Sequence, residues 1–103
     1  MVYTRLVKKL TTENLWLYIL RLLKDEPLYG YEVREKIYRE FGFSPGLVTC
    51  YVVLHRLEKE GLITSRREES SIGPPRKYYL LTDKGRETLE RAKKFLMELS
   101  HNL

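Results

Sequence analysis

From Leu15 to Leu23 the apolar positions Leu15, Trp16, Ile19, Leu20, Leu22 and Leu23 follow helical spacing but spread over more than one narrow stripe. Such a helix has two faces to bury, one against its own core and one against a partner. Thr11 and Thr12 stand where they can cap its start, and Pro27 stops it soon after Asp25, with a turn at Glu26 to Leu28. The recurrence of Val33, Ile37 and Phe41 predicts a second helix from Tyr29 or Gly30 to about Phe41, and Gly42 falls where a left-handed cap would end it. Ser44 followed by Pro45 predicts the start of a third helix that runs to about Glu60 before Gly61. Two helices joined by a few residues containing glycine meet the requirement of a helix-turn-helix.

On the wheel of the third helix, Leu47, Cys50, Tyr51, Leu54, Leu57 and Glu58 fall on one side, which is expected to face the core. Thr49, Val52 and Arg56 fall on the other, flanked by Val48, His55 and Lys59. Ile63 to Glu68 and Arg76 to Thr82 have strand character, and the turn-forming residues 69–75 between them complete a hairpin. Thr82 or Asp83 caps a last helix whose Leu89, Ala92, Leu96, Leu99 and Leu103 form a seam widened by Phe95 and Met97. The fold class expected from this order is mainly α with a small β-hairpin: a winged helix-turn-helix with a three-helix core, a two-stranded wing and a C-terminal dimerisation helix. Residues 1–82 would form the DNA-binding part, with an N-terminal arm and the first helix, and residues 83–103 the dimerisation helix of the same single domain.

Composition narrows the partner. At 103 residues with 43% apolar and 32% charged residues, the chain has the make-up of one folded domain with a modest core. Nineteen Lys and Arg against fourteen Asp and Glu leave a net charge of +5, which favours an anionic partner without proving one. Cys50 is the only cysteine, so no intrachain disulfide can form and a reducing, cytoplasmic setting is expected. No apolar run is long enough to span a membrane, and no apolar segment of a secretory signal follows Arg5, Lys8 and Lys9. Those three cations belong either to a disordered tail or to a basic arm on DNA, and the sequence does not choose. His55, His101 and Cys50 lack the spacing of a metal site, no phosphate-binding glycine loop is present and no nucleophile-base pair stands out, so neither metal, cofactor nor enzyme activity is expected.

In a helix-turn-helix the outward side of the third helix enters the major groove of double-stranded DNA. Thr49, His55, Arg56 and Lys59 can contact phosphates or base edges there, and Val48 and Val52 suit thymine methyl groups. The plainer readings are a solvated face and two ordinary exposed valines. Arg66, Arg67, Arg76 and Lys77 bracket the wing turn, where Arg76 or Lys77 is expected to touch the backbone because Glu68 and Glu69 can neutralise only part of the cluster. Tyr78 and Tyr79 must point to opposite faces, one of them into the core. Leu15, Trp16 and Ile19 of the first helix, with Leu89, Ala92, Phe95, Leu96 and Leu99 of the last, are the expected homodimer interface.

Three blocks resemble the PadR family of transcriptional regulators, in its shorter subgroup with a single terminal helix. They are Leu28-Tyr29-Gly30-Tyr31-Glu32-Val33, Tyr51 through Ile63 with its Arg-Leu-Glu and Glu-Gly-Leu, and Pro75 through Gly85 with a Tyr-Tyr pair, Leu-Thr and a following Gly. Val48-Thr49-Cys50 stand where the family often has Gly-Thr-Leu, and Pro74-Pro75 precede the wing strand. The resemblance implies a homodimeric repressor that blocks a promoter, and a small apolar effector near the dimer interface, with Trp16, Phe95 and Met97 as lining candidates. The preferred reading of those three is dimer core. The competing reading is a protein-interaction module built on a winged helix, in which the third helix meets protein rather than DNA.

Overall fold

The helix with more apolar residues than one face can hold lies at the centre of the packing. A computed structural model of the chain describes residues 1–69 and 72–103, and in it this helix, α2 (Leu15–Asp25), buries Leu15, Ile19, Leu20, Leu22 and Leu23. Before it comes α1 (Val2–Leu10); after it come β1 (Leu28–Tyr29), α3 (Gly30–Phe41), α4 (Leu47–Lys59), β2 (Ile63–Glu68), β3 (Arg76–Leu81) and α5 (Asp83–Asn102). Val33 and Ile37 from α3, Cys50, Leu54 and Leu57 from α4, Leu89 from α5 and Ile63 and Tyr79 from the strands join α2 in one hydrophobic cluster. Each fully buried Leu or Ile side chain contributes on the order of 2 kcal/mol.

The expected mainly helical winged helix is present, with differences at its edges. The sheet has three antiparallel strands in the order β1-β3-β2, because Leu28 and Tyr29 pair with Tyr79 and Tyr78. Two residues are too short to show a period-two pattern, so this strand read as part of a turn. Residues 2–10 are helical throughout, so Arg5, Lys8 and Lys9 stand on a helix rather than in a disordered tail. Tyr3, Leu6, Val7 and Leu10 line one side of α1 and Thr4, Arg5, Lys8 and Lys9 the other, yet every α1 residue is exposed.

Two cap assignments also move. The Thr11 and Thr12 hydroxyls donate back to the carbonyls of Val7 (2.7 Å) and Lys8 (3.4 Å), so they close α1; α2 begins after a 3₁₀ turn, Thr12–Asn14. Ser44 and Pro45 precede α4 in extended chain, and Leu47 starts the helix after Gly46. Pro45 is buried, and its carbonyl accepts a 2.8 Å hydrogen bond from Arg34 Nε, which uses it to fasten the turn to α3. Gly42 ends α3 as expected, at φ 80°, with its N–H donating to the Tyr38 carbonyl.

The base of the wing is anchored at a junction with α4 and α5. Thr82 Oγ1 accepts from Gly85 N (3.0 Å) to cap α5, while its hydroxyl donates to the Gly61 carbonyl at 2.7 Å. The Thr82 N–H donates to the Leu62 carbonyl. A Cβ at position 85 would stand 2.0 Å from that same carbonyl oxygen, so only glycine permits the approach. The Leu-Thr-x-x-Gly run is thus one device joining the end of α4, the base of the wing and the start of α5.

Candidate nucleic-acid interface

Cys50, Leu54 and Leu57 are spaced by four and three residues and are all buried, which fixes the rotation of α4. That rotation turns Val48, Thr49, Val52, His55, Arg56 and Lys59 outward, and all six are exposed. Among the described residues neither Arg56 nor Lys59 forms an ion pair, so the charges on this face are available to a partner. Tyr18 on α2 sets the turn beneath them by meeting Phe41 and Phe43 edge-on, with ring centroids 4.9 and 5.0 Å away.

Leu47 and Tyr51, expected in the core, are 46% and 43% exposed. Both flank the buried stripe of Cys50, Leu54 and Leu57 on the helix wheel rather than lying on it. Leu47 instead lines a shallow cleft with Tyr31, Arg34 and Tyr38. The Tyr51 ring lies over Gly30, where an added Cβ would come within 2.8 Å of it. This close approach explains the glycine in the Tyr-Gly-Tyr run. Tyr51 and Tyr31 then border a cleft of about 570 Å³ between α3 and the wing, with Arg76 and Lys77 on its far side.

The wing cations divide into two kinds. Arg66 and Arg67 are exposed and, among the described residues, form no ion pair. Arg76 sits with its guanidinium 5.8 Å from the centre of the Tyr29 ring, and the Tyr29 hydroxyl donates to Glu68 at 2.6 Å. That hydrogen bond to a carboxylate holds the Tyr29 phenol above its ordinary pKa. Glu68 is therefore occupied by a tyrosine rather than by an arginine. Lys77, with Arg76 one of two alternatives for the backbone contact, pairs with Glu58 on α4 at 3.1 Å.

Glu58, placed among the core residues by the wheel, is half-buried at the corner between helix and wing. Ser65 Oγ donates to its second oxygen. The serine's hydrogen bond, and after it the Lys77 charge, keep the Glu58 carboxyl below its usual range against the opposing effect of burial. Sequence reasoning missed Tyr31, Glu58 and Ser65. The available signal was a carboxylate in the last turn of a helix, with a serine on the inward phase of the strand that follows. Of the tyrosine pair, Tyr79 is the buried one and Tyr78 is half-buried beside Tyr29.

The proposed interface residues also separate. Leu15, Ile19 and Leu89 are buried in the chain's own core and have no surface to offer a partner. Their periodicity was right; the face they belong to is the inner one. Trp16, Ala92 and Leu96 are half-buried, and Phe95 and Leu99 are exposed. Trp16, Ala92, Phe95 and Leu96, with Leu10 of α1, line a mainly apolar cavity of about 300 Å³. Cys50 is buried and its thiol is pushed up by desolvation. Among the described residues no three His, Cys, Asp or Glu side chains are placed to hold a metal, and no helix is long and apolar enough to cross a membrane.

A tri-helical core with α4 presented outward, a three-stranded wing beside it and a long terminal helix defines the winged helix-turn-helix class of transcription factors. The sequence pattern of the transcriptional regulator PadR-like family matches residues 19–91, and the chain belongs to that family. It is similar to a transcriptional regulator from Mycobacterium tuberculosis, with 33% identity over 88 residues, 84% of this chain and 79% of the relative. Among solved structures it is similar to a PadR-like regulator from Bacillus cereus, with 39% identity, TM-score 0.71 and 85% of each chain covered. It is also similar to PadR of Bacillus subtilis in complex with operator DNA, with 31% identity, TM-score 0.70, 79% of this chain and 47% of that one. The family is one of transcriptional regulators, not enzymes.

Proposed function

We propose that this regulator acts as a cytoplasmic homodimer on a pseudo-palindromic operator in double-stranded DNA, and that it represses the promoter it covers. The observation that carries the reading is the exposed face of α4. Two valines, a threonine and three basic or imidazole side chains share that face, and Arg56 and Lys59 are without ion-pair partners among the described residues. Arg56 has the reach and the two-pronged geometry to read guanine, Val48 and Val52 can meet thymine methyls, and Arg66, Arg67 and Arg76 on the wing lie beside the phosphates. The operator complex of the Bacillus subtilis relative supports DNA as the partner.

Dimer formation is supported by apolar surface that the monomer leaves open. Phe95 and Met97 on α5 are 64% and 69% exposed, and α1 carries Leu6, Val7 and Leu10 on one uncovered side. Pairing α5 with its symmetry mate and closing α1 over the Trp16 cavity would bury both surfaces. The two α4 helices would then enter successive major grooves about 34 Å apart. A second reading of the cavity as an effector site is favoured by its volume of about 300 Å³ and its apolar lining, which suit a small apolar molecule.

The test is selection of bound duplexes from a random pool, with a salt titration of the winner for the wild type and for Arg56→Ala. A palindromic winner whose affinity falls steeply with salt is expected, with Arg56→Ala losing about 10-fold or more, equivalent to at least ~1.4 kcal/mol. No enriched sequence and no salt-dependent binding would favour a winged helix that docks on protein.

A further inference from the structure

Lys77 lies on the wing, in register with Arg67, yet its ammonium turns inward to α4. Its Nζ is 3.1 Å from Glu58 Oε1 and 5.4 Å from the centre of the Tyr79 ring, so a carboxylate and an aromatic face hold it together. The other carboxylate oxygen takes the Ser65 hydroxyl. One side chain from the α4 helix therefore binds both strands of the wing, β2 through Ser65 and β3 through Lys77. Both oxygens are used, and the charge that β3 would otherwise present is neutralised within the chain.

We propose that Glu58 is a specificity-determining residue that acts by withholding the Lys77 ammonium from the phosphate backbone while fixing the angle of the wing to α4. The inference rests on the DNA-binding reading given above. A free wing lysine would add a phosphate contact on any duplex without α4 being seated, and this gain counts for more on random DNA than on an operator where the seated α4 and the wing arginines already hold the backbone. Held on Glu58, it adds none. The sequence-independent attraction is left to Arg66 and Arg67, which form no ion pair among the described residues, and the ratio of operator to random-DNA affinity rises accordingly. The same tie makes the wing and α4 move as one body, so the wing meets its phosphates only when α4 is seated in a matching groove. Glu58 touches no DNA in this scheme; it positions a group that would.

The experiment compares the wild type, Glu58→Gln, Lys77→Gln and the double variant on a selected operator and on a random duplex of equal length. Fluorescence anisotropy is followed across a salt series, and each protein is first checked for a cooperative thermal transition. Glu58→Gln should bind the random duplex about 5- to 10-fold more tightly and steepen its log K against log salt slope by about 0.9, the value of one phosphate. Its operator-to-random ratio should fall. Lys77→Gln should leave the slope of the wild type unchanged, and the double variant should return the steepened slope to the wild-type value.

A slope that flattens by about 0.9 in Lys77→Gln alone would show that Lys77 already contacts DNA and would overturn the inference. So would Glu58→Gln with slope and ratio unaltered. If Glu58→Gln fails to fold, the Lys77→Gln slope decides by itself. A wild type that binds neither duplex would instead sink the DNA-binding reading, a result distinct from either of these.

Discussion

Gly85 sits where α5 begins against the carbonyl of Leu62, and a methyl group there has nowhere to go. Its Cβ would stand 2.0 Å from that oxygen and 2.7 Å from Leu81 Cδ1, and the first of these is backbone that cannot step aside. Gly85→Ala is expected to cost about 3 kcal/mol, lowering Tm by roughly 10 °C or more in a thermal melt. Gly46→Ala is the contrast: its Cβ would meet only Thr49 at 3.4 Å, and the expected loss is under about 1 kcal/mol. Equal losses at the two sites would contradict the packing described for the junction. Thr82 belongs to the same junction, since its hydroxyl serves α5 and the Gly61 carbonyl together.

Among the α-helices, α1 and α5 differ from the rest in how little they give to the core. No α1 residue is buried, and of the twenty residues of α5 only Gly85 and Leu89 are. α1 is held to the body by local ties: the Tyr18 hydroxyl donates to the Leu10 carbonyl, and Lys9 pairs with Glu13 at 2.9 Å. An isolated nine-residue helix is marginal in water, so α1 needs a surface to lie on. Removing residues 1–10 should therefore leave the cooperative unfolding of the winged helix in place, with Tm shifted by less than about 8 °C, while shifting the proposed dimer toward monomer. Calorimetry and sedimentation velocity on the truncated chain check the two parts separately. Loss of the cooperative transition would mean that α1 belongs to the core after all. An unchanged dimer would remove α1 from the interface.

Across the whole molecule, the ion pairs set the response to acid. Glu58, Glu13 and Glu90 all have carboxyls held below their ordinary value of 4.5: the first by Ser65 and Lys77, the second by Lys9 and the third by Lys24. A carboxyl with a lower pKa in the folded state than in the unfolded one stabilises the fold above the unfolded value, and the contribution is lost as pH falls through the folded value. Tm should thus be level from about pH 7 down to about pH 5 and fall below that. Glu13 and Glu90 are exposed and their pairs are screened, so Glu58 should account for the larger part. A Glu58→Gln chain with the same acid slope as the wild type would contradict this ranking.

Much of this architecture follows from local chemistry. The order of helices and hairpin, the glycine that closes α3, the stripe of Cys50, Leu54 and Leu57 and the outward side of α4 all depend on periodicities and caps within a dozen residues, which a chain carries wherever it folds. The family blocks are legible for the same reason, and the structure adds why Gly30 and Gly85 stand in them: a tyrosine ring covers one and a carbonyl crosses the other. Other features depended on what lies opposite. Leu15, Ile19 and Leu89 face inward, whereas Leu47 and Tyr51 are left uncovered; a residue's own periodicity states that it is apolar without stating which surface meets it. β1 exists because β3 passes beside it, and α1 has an apolar side that the monomer does not cover. Lys77 reaches Glu58 across nineteen residues of chain, an approach set by the docking of the wing on α4 and invisible to any local pattern. The sequence by itself determined the main helices, the hairpin and the outward set Val48, Thr49, Val52, His55, Arg56 and Lys59 of α4; the tertiary structure decided which apolar faces are spent inside and which cations remain for a partner, because burial and charge pairing are properties of surfaces that meet only after folding.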